Sequence, residues 1–206
     1  FMFFIFSLAA SSVYLINDII DLDSDRLHPL KRQRPLASGK VTIFQAKSAA
    51  FVLGSIAILF SFVLGRLAGL VIIIYIALNY VYMRILKNVV ILDVFCIGAF
   101  FYLRILAGAV INRIILSNWF ILCIVLLALF LALNKRRYDL KLSRGSHPMY
   151  TKYNMYFINR MISITSFSLV VSYSFYVMHI KTMERLGTSH LYYTLPFVYY
   201  GLFRYL

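Results

Sequence analysis

Four of the seven acidic residues in the chain lie within eight positions, directly after Asn17. On a helix, 100° per residue places Asp18, Asp21 and Asp25 on one face, whereas Asp23 points elsewhere. Like charges at this spacing repel, so a cation must offset them. Magnesium prefers a few carboxylates, retained waters and oxygen atoms of a phosphorylated substrate. The three aspartates, with Asn17 beside them, therefore predict a Mg²⁺ site, and the alternative is a solvated helix end balanced by nearby basic residues.

A basic loop follows the aspartates and runs from His28 to Gly39, with two prolines that stiffen it. The planar guanidinium group of arginine matches phosphate oxygens, and lysine supplies a mobile point charge. We therefore predict that Lys31, Arg32 and Arg34 bind a phosphorylated substrate beside the metal. His28 precedes a proline, and we interpret it as a loop residue and not as a general base.

A second polar segment combines three adjacent cations with one acid. It consists of Asn134, Lys135, Arg136, Arg137, Tyr138 and Asp139. Basic residues also collect at the ends of membrane spans for topological reasons alone. The accompanying asparagine, tyrosine and aspartate favour a phosphate-binding role for this segment.

The composition indicates which elements must position these residues. Of the 206 residues, 62% are hydrophobic and 14% are charged, and the mean hydropathy is +0.83. A soluble domain of this size cannot bury so much apolar surface, which excludes a soluble enzyme, a disordered tail and a disulfide scaffold. The apolar runs are continuous and do not alternate, a pattern that disfavours an outer-membrane barrel. Cys96 and Cys123 lie inside such runs, and we interpret them as small core residues.

Seven apolar runs are candidates for transmembrane helices. They are Phe1 to Ile20, Thr42 to Leu64, Leu67 to Met83, Val89 to Asn112, Trp119 to Leu133, Met155 to Ile180 and Leu191 to Leu206. The second run opens with Thr42 and Gln45, the spacing of a capping box. We predict an all-α, multi-span membrane protein whose residues 1–206 form a single domain, and we expect the domain to be truncated at both ends.

The basic residues set the predicted topology. Fourteen of them flank the long loops on one side of the membrane: Arg26, Lys31, Arg32, Arg34, Lys40, Lys47, Arg84, Lys87, Lys135, Arg136, Arg137, Lys141, Arg144 and Lys152. The other side carries four. The positive-inside rule then places the three basic loops in the cytoplasm. We expect the protein to lie in the plasma (inner) membrane. Because the basic residues do not form one stripe, the net charge of +14 does not indicate nucleic-acid binding.

The fourth apolar run carries Asp93 near its start and Arg104 near its middle. An arginine at mid-depth in a membrane is costly. We therefore predict that Arg104 faces a polar cavity or binds an anion, and the alternative is a structural partner for a buried carbonyl or carboxylate. Lys87, just before this run, is predicted to line the same cytoplasmic mouth and to bind substrate.

The pattern Asn17-Asp18-x-x-Asp21-x-x-x-Asp25 at the cytoplasmic end of a span resembles the first aspartate motif of the UbiA superfamily of intramembrane transferases. The resemblance implies nine transmembrane helices, of which seven are present here, around a central polar cavity open to the cytoplasm. It also implies a diphosphate substrate held through Mg²⁺. Prenyltransferases of the superfamily carry a second aspartate-rich motif, whereas this chain has the cation-rich segment from Lys135 to Asp139.

The cation-rich segment in place of a second aspartate motif resembles the decaprenyl-phosphate phosphoribosyltransferase branch of the superfamily. The string Leu103-Arg104-x-x-Ala107-Gly108-Ala109 resembles the same branch. This branch implies transfer of a 5-phosphoribosyl group from phosphoribosyl diphosphate to a membrane-embedded polyprenyl phosphate, for synthesis of cell-envelope arabinan precursors. The resemblance assigns the diphosphate and its metal to Asp18, Asp21, Asp25 and Asn17. A UbiA-type prenyltransferase acting on an aromatic or other acceptor is the nearer alternative, and a transporter the more distant one. The oligomeric state is left open.

Overall fold

The computed structural model describes residues 1–27, 31–143 and 154–206. These residues form α-helices and short 3-10 turns, without a strand. The α-helices are α1 (Met2–Ile20), α2 (Leu22–Leu27), α3 (Ile43–Leu64), α4 (Arg66–Arg84), α5 (Leu92–Ile111), α6 (Asn118–Ser143), α7 (Met155–Met178), α8 (Ile180–Leu186) and α9 (Leu195–Tyr205). Four residues used in the sequence predictions, His28, Pro29, Arg144 and Lys152, lie outside the described residues.

Six of the described helices are long and apolar enough to cross a membrane: α1, α3, α4, α5, α6 and α7. The prediction of an all-α, multi-span protein is thereby confirmed. The segment predicted as the seventh span, Leu191 to Leu206, forms the end of a 3-10 turn and the 11-residue helix α9. It is not among these six helices, and the seventh span stays a prediction. Pro196 lies in the first turn of α9, where a missing N–H is tolerated and where a new helix begins.

The fifth predicted span ended at Leu133, but α6 continues to Ser143. Hydropathy falls at Asn134, yet lysine, arginine and leucine are good helix formers, so the backbone hydrogen bonding continues through the polar segment. The cation-rich segment therefore lies on a helix and not after one. Residues three positions apart along it face the same side.

The chain divides into two compact units. Unit 1 comprises Phe1–Leu86 and Leu103–Ile114, and unit 2 comprises Lys87–Tyr102 and Ile115–Leu206. Helix α5 is shared, because its first part belongs to unit 2 and its last part to unit 1.

Close helix packing organises unit 1, where α1, α3 and α4 contact one another. The buried residues of α3 are all small: Ala46, Ala50, Gly54, Ala57 and Ser61. Ser12 of α1 donates a hydrogen bond to the carbonyl oxygen of Ala50 at 2.7 Å. A Cβ atom at Gly54 would lie 2.9 Å from the Ser12 Oγ atom. Small residues thus let the two helix backbones approach, as is common in membranes.

The start of α3 is fixed by the predicted capping box. The Thr42 side chain accepts a hydrogen bond from the Gln45 backbone N–H at 3.2 Å, and the Gln45 side chain accepts one from the Thr42 backbone N–H at 2.9 Å. These bonds satisfy two donors that a helix N-terminus otherwise leaves unpaired. The loop that carries Lys31 and Arg34 therefore ends at a defined point.

Unit 2 is built on the pairing of α6 with α7, and α9 packs against α7. Its core includes Phe130 from α6 and Ile158, Ile162 and Leu169 from α7. Cys123 is also buried in this core, and Cys96 is buried in α5. Both cysteines are free, in agreement with their interpretation as core residues.

Candidate active site

The aspartate cluster lies in unit 1, where α1 passes into α2. Asp21 separates the two helices, but the backbone hydrogen bonds continue across it. The Asp21 N–H donates to the Asn17 carbonyl at 2.9 Å, and the Asp25 N–H donates to the Asp21 carbonyl at 2.8 Å. This near-helical path keeps Asp18 and Asp25 on one side, as the spacing predicted, whereas Asp23 is exposed.

Arg34 joins two of these aspartates. Its Nη1 atom donates to Asp18 Oδ1 and to Asp25 Oδ2, each at 2.8 Å. Because both oxygens contact the same nitrogen, they are no farther apart than twice that distance. The Lys31 Nζ atom lies 3.8 Å from the other oxygen of Asp25. The Asp25 side chain is only 3% exposed, and a carboxylate so deeply buried requires such compensation by cations.

A hydrophobic contact anchors the basic loop against α2 and α3. Leu36 is buried and packs against Leu22 of α2 and Ala46 of α3. The Ser38 N–H also donates to the Arg34 carbonyl at 2.8 Å, which closes a turn around Leu36. Leu36 was not among the residues predicted from the sequence. The available signal was that the loop holds two large apolar residues, Leu30 and Leu36, among mostly polar neighbours.

The three predicted cations of this loop have different surroundings. Arg34 and Lys31 contact the aspartates, whereas Arg32 is exposed and forms no ion pair with any other described residue. The site therefore has two cations in contact with carboxylates and a third available to solvent.

The described residues include no group of three or more His, Cys, Asp or Glu side chains arranged to hold a metal ion. The predicted cluster of three aspartates around one metal is therefore not preformed, because the carboxylates of Asp18 and Asp25 converge on the Arg34 guanidinium. The donor set still suits Mg²⁺. Magnesium commonly takes one or two carboxylates, retained waters and substrate phosphate oxygens, and the nearest oxygens of Asp18 and Asp25 already converge on one cation.

In unit 2, the cation-rich segment makes an unexpected contact. Arg136 Nε donates to Asp93 Oδ2 at 2.8 Å, and Arg136 Nη1 lies 3.9 Å from Asp139. The Asp93 side chain is fully buried, and that of Arg136 is 14% exposed. Arg136, predicted as a phosphate ligand, is thus already engaged in compensating a buried charge.

The other members of the segment differ in their contacts. Arg137 Nη2 donates to Asn134 Oδ1 at 2.8 Å and to the Tyr205 carbonyl at 2.7 Å, which ties α6 to α9. Lys135 and Tyr138 are exposed, and Lys135 forms no ion pair with a described residue. Lys135 is therefore the member of the triplet whose charge faces solvent.

Arg104 lies in the part of α5 that belongs to unit 1. Its guanidinium carbon is 5.3 Å from the centroid of the Phe6 ring, and its side chain hydrogen bonds to Tyr75. Arg104 lines a cavity of about 540 Å³ with Ser7, Ser11 and Tyr14 and also with Met2, Phe3, Phe6 and Ala10; that it faces a polar cavity or binds an anion stays a prediction. Phe6 precedes Asp18 by twelve residues, or about 18 Å along α1. Lys87 is half-buried in the 3-10 turn Leu86–Asn88.

Residues 1–205 match the UbiA prenyltransferase family. The chain belongs to this family. The relationship confirms the resemblance inferred from the aspartate motif.

Two relatives of the UbiA chain are named decaprenyl-phosphate phosphoribosyltransferase. The one from Mycolicibacterium smegmatis is 35% identical over 175 residues, which cover 83% of this chain and 55% of that protein. The one from Mycobacterium tuberculosis is 38% identical over 141 residues, which cover 68% of this chain and 47% of that protein. The chain spans about half the length of these curated relatives.

A solved structure of a UbiA homolog from Archaeoglobus fulgidus, bound to DMAPP and Mg²⁺, has the same fold. Its TM-score is 0.79 at 16% sequence identity, and the match covers 99% of this chain and 72% of that one. The fold of the UbiA chain is therefore supported independently of close sequence similarity.

Proposed function

We propose that this chain forms the donor site of a Mg²⁺-dependent transferase that moves a 5-phosphoribosyl group from phosphoribosyl diphosphate to a polyprenyl phosphate and releases diphosphate. The observation that carries the proposal is the convergence of Asp18 and Asp25 on Arg34 of a basic loop. Carboxylates and cations in contact form a site that can bind a metal and a polyanion together. The names of the relatives from Mycolicibacterium smegmatis and Mycobacterium tuberculosis support the choice of substrates.

In the proposed reaction, the bond between the ribose C1 atom and the diphosphate oxygen breaks, and its electron pair leaves with the diphosphate. A phosphate oxygen of the lipid forms the new bond to C1. Negative charge grows on the leaving group while C1 becomes cationic, as in other glycosyl transfers. Lys31, Arg32 and Arg34 bind the leaving diphosphate and stabilise its charge.

Asp18, Asp21 and Asp25, with Asn17, would hold the magnesium ion, which when bound acts as a Lewis acid toward the leaving diphosphate. Their oxygen donors are of the type that Mg²⁺ prefers. The Mg²⁺ bound to the Archaeoglobus fulgidus homolog supports this assignment.

The second anionic group, either the 5-phosphate of the sugar or the phosphate of the lipid, is assigned to the segment from Lys135 to Asp139. Lys135 contacts this second anionic group directly, because its charge is exposed. Arg136 and Arg137 add positive potential while their protein contacts hold the helix end in position. Lys87 and Arg104 complete the proposed substrate-binding residues. Arg104 would contact the substrate in the cavity that it lines.

The acceptor requires no strong general base, because a lipid phosphate is already anionic at neutral pH. The chain's task is to hold the acceptor in line with C1, on the side opposite the leaving group. We place the basic loops in the cytoplasm, since the charge distribution follows the positive-inside rule. The proposed membrane is the plasma membrane. The product would serve as a precursor of cell-envelope arabinan.

The test supplies the protein in membranes with Mg²⁺, polyprenyl phosphate and phosphoribosyl diphosphate labelled in the ribose. Label should pass to the lipid extract only when both substrates are present. A parallel reaction contains a prenyl diphosphate and an aromatic acceptor. Consumption of the prenyl diphosphate, with no label in the lipid from the first reaction, would instead establish a prenyltransferase.

A further inference from the structure

The contact between Arg34 and the two aspartates has a consequence for metal binding, which rests on the proposed function. The Arg34 Nη1 atom lies 2.8 Å from one oxygen of Asp18 and 2.8 Å from one oxygen of Asp25. A divalent cation bound by the same two oxygens would have to occupy the region that this nitrogen fills. Mg²⁺ binds oxygen at about 2.0–2.1 Å, so an ion chelated between these two oxygens and the guanidinium nitrogen cannot occupy that region together.

Electrostatics also opposes simultaneous occupancy. A guanidinium group and a divalent ion repel each other strongly at contact distance, and low solvent exposure strengthens the repulsion. Without any cation, the two carboxylates would repel each other instead. The pair of aspartates is therefore stable with one cation between them, either the arginine or the metal.

We propose that Arg34 and the divalent ion bind Asp18 and Asp25 alternately, and that the guanidinium displaced by the metal becomes a ligand of the diphosphate. Arg34 holds the carboxylates together before the metal arrives. Once the metal is bound, Arg34 presents its fork of N–H donors to the phosphate oxygens. Metal binding and diphosphate binding are then coupled through one side chain.

The surroundings of Arg34 permit this exchange. Its side chain is 39% exposed and that of Asp18 is 27% exposed, so both are open to solvent on one side. Leu36 anchors the loop, so release of the arginine loosens only the turn from Arg34 to Ser38 and does not unfold the loop. Lys31 lies 3.8 Å from Asp25 and continues to offset that buried carboxylate during the exchange.

The first test measures Mn²⁺ binding without any substrate, from the electron paramagnetic resonance signal of the free ion. The wild type is compared with Arg34→Gln and with Arg32→Gln, which removes the same charge from an exposed position in the same loop. Arg34→Gln should bind Mn²⁺ about tenfold more tightly than the wild type, the scale of one charge-assisted hydrogen bond. Arg32→Gln should stay within about twofold of the wild type, because screening weakens an exposed charge.

The second test needs no variant and follows hydrogen exchange of the loop amides in the wild type. At a Mg²⁺ concentration that fills the site, release of Arg34 should speed exchange at the amide of Ser38, which is bonded to the Arg34 carbonyl. Adding inorganic diphosphate should then slow exchange again, because Arg34 acquires a new partner. Full metal binding with unchanged or slower exchange would overturn the proposal, even if Arg34→Gln failed to fold.

The remaining outcomes separate this inference from the proposed function. Equal Mn²⁺ affinity in the wild type and Arg34→Gln, or equal tightening in both variants, would refute the exchange and leave the metal site intact. Weaker binding in Arg34→Gln would also refute it, since the arginine would then support the metal. A lack of site-bound Mn²⁺ in all three proteins, with inorganic diphosphate present, would refute the metal role itself and the exchange with it.

Discussion

Arg136 of α6 donates from Nε to Asp93 Oδ2 of α5 at 2.8 Å, across 43 positions of the chain. The Asp93 side chain has no solvent exposure, so this contact neutralises a charge that water cannot reach. It joins the start of one membrane-spanning helix to the polar end of another. The cation-rich segment is thus tied into the fold of unit 2 through Arg136, while its first residue, Lys135, is exposed.

The Asp93 contact predicts a large loss of stability in Arg136→Met. The substitution would leave a buried carboxylate without its cation, at a cost of about 3–5 kcal/mol. Thermal unfolding in detergent should show this loss, whereas Lys135→Met should stay within about 0.5 kcal/mol of the wild type. The double variant Asp93→Asn with Arg136→Met should recover part of the stability, and a double variant no more stable than Arg136→Met alone would contradict the account.

The close approach of α1 and α3 predicts that Gly54→Ala is destabilising by about 1 kcal/mol, the net value of one hydrogen bond. The new methyl group would push the Ser12 hydroxyl away from the Ala50 carbonyl. Unfolding midpoints would measure the effect, with Gly201→Ala as control because nothing lies within 4 Å of its new Cβ. Adding Ser12→Ala to Gly54→Ala removes the clash. The double variant should therefore be about as stable as the single variant Ser12→Ala.

The proposed metal site predicts that Asp21→Ala lowers turnover by at least about a hundredfold, because transition-state charge on the leaving group loses its stabilisation. The unfolding temperature should change little, since Asp21 is partly exposed between two helices. Asp23→Ala is the matched control, as Asp23 is exposed and lies off the shared face. Near-normal transfer by Asp21→Ala would remove Asp21 from the site.

The exposed charge of Lys135 predicts a substrate effect without a folding effect. Lys135→Ala should raise the KM of the phosphoribosyl donor or of the lipid acceptor by about tenfold, the loss expected for one ionic contact. Lys141→Ala removes an exposed lysine from the same helix and should leave both KM values unchanged. Equal effects of the two substitutions would indicate a general charge effect and not a binding contact.

Local patterns predicted much of the fold. Continuous apolar runs identified the six spanning helices, and the spacing of Thr42 and Gln45 identified the capping box, because both signals lie within a few residues. The end of α6 was missed because hydropathy drops at Asn134 while helix propensity does not. The 3-10 turn from His190 to Thr194 was also missed, since apolar composition does not reveal the change of helix type before α9.

The candidate site was predicted in part, because some of its contacts join residues that are close in the sequence. The shared face of Asp18 and Asp25 follows from helical periodicity, and the basic loop that offsets them is nearby in sequence. Neither the packing of Leu36 against Leu22 nor the contact of Arg34 with both aspartates follows from a spacing rule. The pairing of Asp93 with Arg136 depends on how α5 and α6 pack. Because the two residues are 43 positions apart, local sequence patterns do not predict it.

The most direct test of the central claim is a structure of the protein determined with Mg²⁺ and phosphoribosyl diphosphate. We expect a metal ion bound to the carboxylates of Asp18 and Asp25, with the diphosphate beside it and Arg34 turned toward the phosphate oxygens. A diphosphate bound elsewhere, with both aspartates still paired only to Arg34, would contradict the account.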